Sequence, residues 1–252
     1  MGALHKGHIS LINHCQQHVD ITIVSIFVNP TQFNDPKDLD RYPRKDSDDI
    51  AILKKQKVDA LFFPSVEEMY PEGTTPKKAY DFGALATVME GAHRKGHFEG
   101  VAQVVNLLLN YIQPHQLFMG QKDFQQVAII RKLIEIEDKQ IELIACPTVR
   151  EEDGLAMSSR NALLLETERL QAPKIREALL QLKASVNNKN LEAVIKEAIT
   201  LIETNTDMTV EYLEAADTKT LAKAEDWQSF QQVVICTAVH LGKVRLIDNI
   251  LI

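Results

Sequence analysis

The chain has 252 residues, 45% hydrophobic, 25% charged and 6% aromatic, with 28 basic against 35 acidic side chains and a formal net charge of -7. These fractions exclude a disordered, collagen-like or low-complexity chain, and the length suits one large domain or two modest ones. The acidic balance argues against broad nucleic-acid binding, which needs a basic face, yet leaves room for a local positive pocket holding a small anion. No apolar run approaches the roughly 20 residues of a spanning helix. The start carries no secretory pattern, so a cytoplasmic setting is expected. Cys15, Cys146 and Cys236 are far apart and odd in number, which excludes a full disulfide framework. Cys146 and Cys236 lie in apolar runs and read as small buried hydrophobes.

Along the chain, residues 21–28 form a β-branched run that stops at Asn29-Pro30, a buried strand by its pattern. Residues 46–56 read as an amphipathic helix with acidic residues in its first turn. A short strand at 60–63 and a long ordered loop at 64–78, with three prolines and Gly73, come next. The pattern then predicts a helix at 101–111, a strand at 117–119, a helix at 125–137 and a strand at 141–146. Strands alternating with helices imply parallel pairing in an open α/β sheet. After residue 149 the order changes to helices at 166–183 and 191–203, followed by strands at 209–213, 233–239 and 244–247. The expected architecture is therefore a nucleotide-binding α/β domain over 1–149 and a smaller α+β domain over 150–252.

Ligands of an open α/β sheet bind at the carboxyl ends of its strands, so the loops there are inspected first. The first is Met1-Gly2-Ala3-Leu4-His5-Lys6-Gly7-His8, running into a helical pattern. Free N–H groups at a helix start, with imidazoles beside them, suit phosphate. Two plainer readings stand beside that one: half of a metal site, or one surface and one core histidine. The second set is Gly120-Gln121-Lys122-Asp123, where Lys122 could meet a phosphate and Asp123 a ribose, or Asp123 could simply cap the following helix. The third, Met157-Ser158-Ser159-Arg160, offers two hydroxyls and a guanidinium as an anion cradle, or is an ordinary serine-rich loop. Arg94 and His97 are read either as part of an ordering basic loop or as substrate contacts. Lys54-Lys55 and Lys77-Lys78 are read as solvated faces, and Trp227 as packing of the small domain.

His5-Lys6-Gly7-His8 followed by Met157-Ser158-Ser159-Arg160 resembles the paired signatures of the nucleotidylyltransferase superfamily. The blocks Ser25-Ile26-Phe27-Val28-Asn29-Pro30-Thr31-Gln32-Phe33, Arg41-Tyr42-Pro43-Arg44, Gly96-His97-Phe98-Glu99-Gly100-Val101 and Val244-Arg245-Leu246-Ile247-Asp248-Asn249 are similar to those of the pantoate–β-alanine ligase (pantothenate synthetase) family. The resemblance implies a Rossmann-like sheet and ATP-dependent joining of pantoate to β-alanine through an acyl adenylate, releasing AMP and pyrophosphate, with Mg²⁺ beside the triphosphate. It implies His8 as proton donor, with His5, Lys122 and Arg160 on the phosphates. Residues Met1 to His8, Gly120 to Asp123, Val149 and Met157 to Arg160 would contact ATP. Gln32 and Gln126 would hold pantoate, Gln32 also bordering β-alanine. A homodimer with no nucleic-acid or membrane partner is implied as well. The resemblance further places a strand before Met1-Gly2; a strand needs about five residues and four precede His5, so a sheet short of that strand is expected. The alternatives are a nucleotidylyltransferase with a phosphate-bearing acceptor, an inactive nucleotide-binding homologue, or an aminoacyl-tRNA synthetase fragment, the last lacking the basic surface it needs.

Overall fold

A computed structural model describes the chain except residues 33–38, 41, 76–77 and 187–189. Phe33, Arg41 and Lys77 therefore lie outside the described residues. Helix α1 (Lys6–Gln16) leads to strand β1 (Ile23–Ser25), then helix α2 (Asp46–Lys55) and strand β2 (Ala60–Phe62), which pairs with β1 in parallel. The apolar run 21–28 yields a ladder of three residues because its flanking amides go elsewhere. Thr22 N–H donates to the Asp59 carboxylate at 2.8 Å and Phe27 N–H to the Met1 carbonyl at 3.1 Å. Strands β3 (Gln116–Gly120) and β4 (Glu142–Cys146) form a second parallel pair, and among the described residues no ladder joins it to the first.

The segment 64–78 holds a short helix α3 (Val66–Met69), closed by a reciprocal cap between Ser65 and Glu68, with Met69 and Tyr70 buried beyond it. The S-x-x-E signature was in the sequence, but the prolines masked it. After helix α4 (Met89–His93), helix α5 (His97–Ile112) begins four residues before the expected start, at Gly96, whose φ of +80° suits glycine. Phe98, Val101, Ala102 and Leu109 on α5 pack against Ile129, Ile130 and Leu133 of helix α6 (Phe124–Ile136).

In the C-terminal part the helix expected at 166–183 is two, α7 (Glu166–Gln171) and α8 (Lys174–Ala184). Pro173 divides them, since it has no N–H to donate and its ring crowds the preceding turn. Helix α9 (Leu191–Glu203) is capped by Asn190, whose side chain accepts from Ala193 N–H at 2.8 Å. Strands β5 (Met208–Asp217), β6 (Val233–Leu241) and β7 (Val244–Leu251) make an antiparallel sheet in the order β5-β6-β7. Leu179, Leu182, Val194 and Ile202 join Ile235, Val239 and Leu246 in its core, with Trp227 packed at the edge. A further cluster joins Met89 and Ala128 to Tyr212, Val234 and Cys236, so the antiparallel unit packs directly on the α/β part. Cys146 and Cys236 are buried, as expected of small hydrophobes. Lys54 and Lys55 are exposed, whereas Lys78 departs from a merely solvated face: it pairs with Glu137 at 2.6 Å and lies over the Tyr80 ring.

Candidate active site

The loop 1–8 is fixed by a group the sequence reading overlooked. Asp49, on α2 and 1% exposed, accepts from Ala3 N–H at 2.8 Å and Leu4 N–H at 2.7 Å. Its acidity in the first turn suggested a helix-dipole role. The better signal is its i, i+4 relation to buried Leu53, which puts the carboxylate on the inner face. His5 then caps α1: its Nδ1 accepts from Gly7 N–H at 3.1 Å, while His5 N–H donates to His8 Nδ1 at 3.3 Å. Both Nδ1 atoms act as acceptors, so each neutral ring carries its proton on Nε2. Burial, with smaller contributions from His5, the chain's amino group and Lys122, pushes the His8 imidazole down to about 3. Burial and then Lys122 lower His5 as well. The loop thus offers two neutral N–H donors close to a lysine cation, a pairing suited to phosphate oxygens. A Cβ on Gly7 would stand 2.9 Å from His5 Cε1 and 3.5 Å from Met157 Cβ, so this loop and the segment at 157 meet at that glycine.

Gln121–Asp123 is a tight turn between β3 and α6. Asp123 occupies the N-cap position of α6 but makes no capping hydrogen bond; its carboxylate lies 3.7 Å from Lys122 Nζ and half exposed. The capping expectation fails, and the side chain faces the loop instead. Met157 N–H donates to the Val149 carbonyl at 3.0 Å, closing a turn pinned by Arg150, which donates to Gly154 O and to both oxygens of Asp248. Ser158 Oγ accepts from Arg160 N–H, Ser159 Oγ lies 3.4 Å from the Tyr42 hydroxyl, and the Arg160 guanidinium lies over the Tyr42 ring at 5.3 Å.

Gln32 ends the turn Pro30–Gln32, against which α5 packs at Gly100. A Cβ there would come within 2.3 Å of Thr31 O, so only glycine fits this approach. The Gln32 carbonyl accepts from His97 Nδ1 at 2.8 Å and Arg94 Nη2 at 3.4 Å, and Arg94 Nη1 donates to His97 Nε2 at 3.1 Å. His97 is therefore neutral with its proton on Nδ1; burial and Arg94 lower it to about 4 against the pull of the Gln32 carbonyl. These contacts give Arg94 and His97 an ordering role. Gln125, beside Gln126, is structural: buried, it holds Glu90 N–H and the carbonyls of Leu85 and Val88.

Lys122, Asp123, Gln126, Ser158 and Arg160 line one cleft of about 680 Å³ between the α/β part and the antiparallel sheet, with Arg94 and His97 at its wall. That volume suits a nucleotide-sized ligand. His5, His8 and Gln32 are not among its lining residues; the first two reach the site through Lys122 and Gly7, the third through Arg94 and His97. Among the described residues no group of three His, Cys, Asp or Glu is placed to hold a metal ion. A divalent cation carried in by a polyphosphate fits this donor set better than an all-protein cage.

A family model described as pantoate-beta-alanine ligase matches residues 1–251. The chain is 46% identical over 250 residues to a pantothenate synthetase of Porphyromonas gingivalis, covering 99% of this chain and 88% of that one. A pantothenate synthetase of Bacteroides fragilis is 45% identical with the same coverage. Among solved structures, the pantothenate synthetase of Thermus thermophilus superposes with a TM-score of 0.94 at 37% identity, over 99% of this chain and 90% of that one. The pantoate-beta-alanine ligase of Francisella tularensis, complexed with beta-gamma ATP and beta-alanine, gives 0.83 at 38% identity, over 100% and 87%.

Proposed function

Because the chain belongs to the pantoate–β-alanine ligase family, we propose that its cleft carries out that family's two half-reactions. The protein condenses pantoate with β-alanine at the expense of ATP. The pantoate carboxylate attacks the α-phosphorus and pyrophosphate leaves; the β-alanine amine then attacks the acyl carbon, forming the amide and releasing AMP. Such chemistry needs positioning and charge neutralisation more than a protein nucleophile. The observation that carries the reading is that Lys122 and Arg160 line one nucleotide-sized cleft, while the neutral imidazole donors of His5 and His8, outside its lining residues, stand within electrostatic reach of Lys122.

Within that reading, the Nε2–H groups of His5 and His8 donate hydrogen bonds to the triphosphate, and His8, a neutral ring that keeps its proton, stabilises the charge on the departing pyrophosphate through that bond. Lys122 and Arg160 neutralise the phosphates, Ser158 and Ser159 close over them, and Asp123 takes the ribose. The backbone of Met1 to Gly7 and of Gly120 and Gln121 borders the nucleotide, the Val149 backbone hydrogen-bonds adenine, and Met157 closes over the phosphates with the residues that follow it. Gln32 and Gln126 hold the pantoate hydroxyls and carboxylate, Gln32 bordering β-alanine. A Mg²⁺ carried by the ATP phosphates, with no protein cage for it among the described residues, would supply charge that relieves repulsion between those oxygens beside Lys122 and Arg160. We assign 1–149 to nucleotide and pantoate binding and 150–252 to a covering domain, and expect a cytoplasmic homodimer. The test is pyrophosphate release from ATP with pantoate alone. His8→Ala is expected to keep its fold and lose most of this adenylation; a near-normal rate would remove His8 from the mechanism.

A further inference from the structure

We propose that Asn249 is a positioning residue for the nucleotide loop, setting the backbone from which Lys122 extends. Asn249 lies on β7, 4% exposed, opposite Cys236 in the ladder. Its Nδ2 donates to the Gln121 carbonyl at 3.0 Å and to the Lys122 carbonyl at 2.9 Å. A side-chain amide has two hydrogens on one nitrogen, and here each meets one of two successive carbonyls. That contact fixes both peptide planes of a turn that lacks a side-chain cap of its own, since Asp123 makes none. A shift of either plane would swing Lys122, whose Nζ acts electrostatically on His5 and His8.

The neighbouring residue holds the opposite wall. Successive side chains of a strand point to opposite faces, and Asp248 binds Arg150 through both oxygens at 2.7 and 2.9 Å. Arg150 in turn donates to Gly154 O at 3.1 Å, in the turn that closes on Val149 and Met157. Two adjacent residues of the antiparallel sheet therefore set the spacing of two loops that belong to other elements. Sequence distance hid this: Asn249 is more than 120 residues from the turn it fixes.

The inference rests on Lys122 meeting the ATP phosphates, and the experiment separates the two claims. Asn249→Asp keeps the size and shape but has no hydrogens, and it sets a carboxylate against two carbonyl oxygens. In pantoate-dependent pyrophosphate exchange, Asn249→Asp is expected to raise KM for ATP about tenfold or more, with KM for pantoate within about twofold; KM for β-alanine, read from AMP formation in the complete reaction, is expected to stay within about twofold as well. Lys122→Ala is measured beside it. An unchanged KM for ATP in folded Asn249→Asp, or an equal rise in all three KM values, overturns the positioning role. A Lys122→Ala enzyme with normal KM for ATP would instead overturn the reading of Lys122. Asn249→Ser, which retains one small donor, replaces the aspartate variant if that fails to fold, with the same selectivity expected at smaller amplitude and the same results overturning the role.

Discussion

At His5 and His8 a helix cap also sets the direction of two donor groups. Each ring uses Nδ1 to bind a backbone amide of its own loop, and that bond directs the Nε2–H outward. The folded chain keeps His8 neutral down to about 3, against an ordinary value of 6.5, so the unfolded chain takes up the proton first as pH falls. Its contribution to stability is complete above about 6.5 and is lost progressively between there and about 3. Urea unfolding across that range is therefore expected to show stability rising with pH, and His8→Gln to flatten the rise; an identical slope in the variant would contradict the neutral, buried assignment. Asp49 gives a second residue-level expectation. Asp49→Asn leaves one of the Ala3 and Leu4 amides facing an amide nitrogen, a loss of roughly 1–3 kcal/mol, with KM for ATP raised. A variant with wild-type unfolding and wild-type KM would show that the clamp does not hold the loop. The H-x-x-H spacing was visible in the sequence, but Asp49 was not, because nothing in a local pattern tells an outward carboxylate from one turned onto a loop 45 residues away.

Among the elements, those set by local pattern were legible and those set by long-range contact were not. Helix α9 was read to the residue, since its apolar face and Asn190 cap are both local. The ladder of β1 came out short because the partners of Thr22 and Phe27 N–H lie elsewhere. The break between α7 and α8 needed only Pro173 and was available to closer reading. Packing between elements also fixes the substrate side of the site. Gly100 lets α5 lie on the turn that ends at Gln32, and a Cβ there would reach 2.6 Å from Thr31 C. Gly100→Ala is expected to destabilise by about 1–3 kcal/mol and to raise KM for pantoate more than KM for ATP. Equal kinetics to wild type, measured with both substrates, would separate this contact from pantoate binding.

Over the whole molecule, the α/β part and the antiparallel sheet are joined by a charge network in the wall of the cleft. Glu90 accepts from Arg245 at 2.7 and 3.0 Å and from the Tyr212 hydroxyl at 2.8 Å; Arg245 also pairs with Glu211. Burial alone would raise the Glu90 carboxyl, but Arg245, Tyr212 and Arg94 draw it down to about 2. This pair's contribution is present above the ordinary 4.5 and lost as pH falls towards about 2. Glu90→Gln leaves Arg245 short of a partner at a buried junction and should cost about 3 kcal/mol in urea unfolding; a loss under about 1 kcal/mol would reduce the pair to a surface contact. The same Glu90 precedes Arg94, which holds the Gln32 carbonyl, so the junction and the Gln32 turn share one short segment. The acidic overall charge gave no hint of this, because the cations that matter are few and are gathered by the fold.

On this mechanism the cleft adenylates pantoate before it meets β-alanine. Exchange of labelled pyrophosphate into ATP, measured with this chain, tests it most directly. The predicted result is exchange that requires pantoate, proceeds without β-alanine, and gives way to AMP and amide formation once β-alanine is added. Exchange independent of pantoate, or ATP binding with no exchange at all, would contradict it.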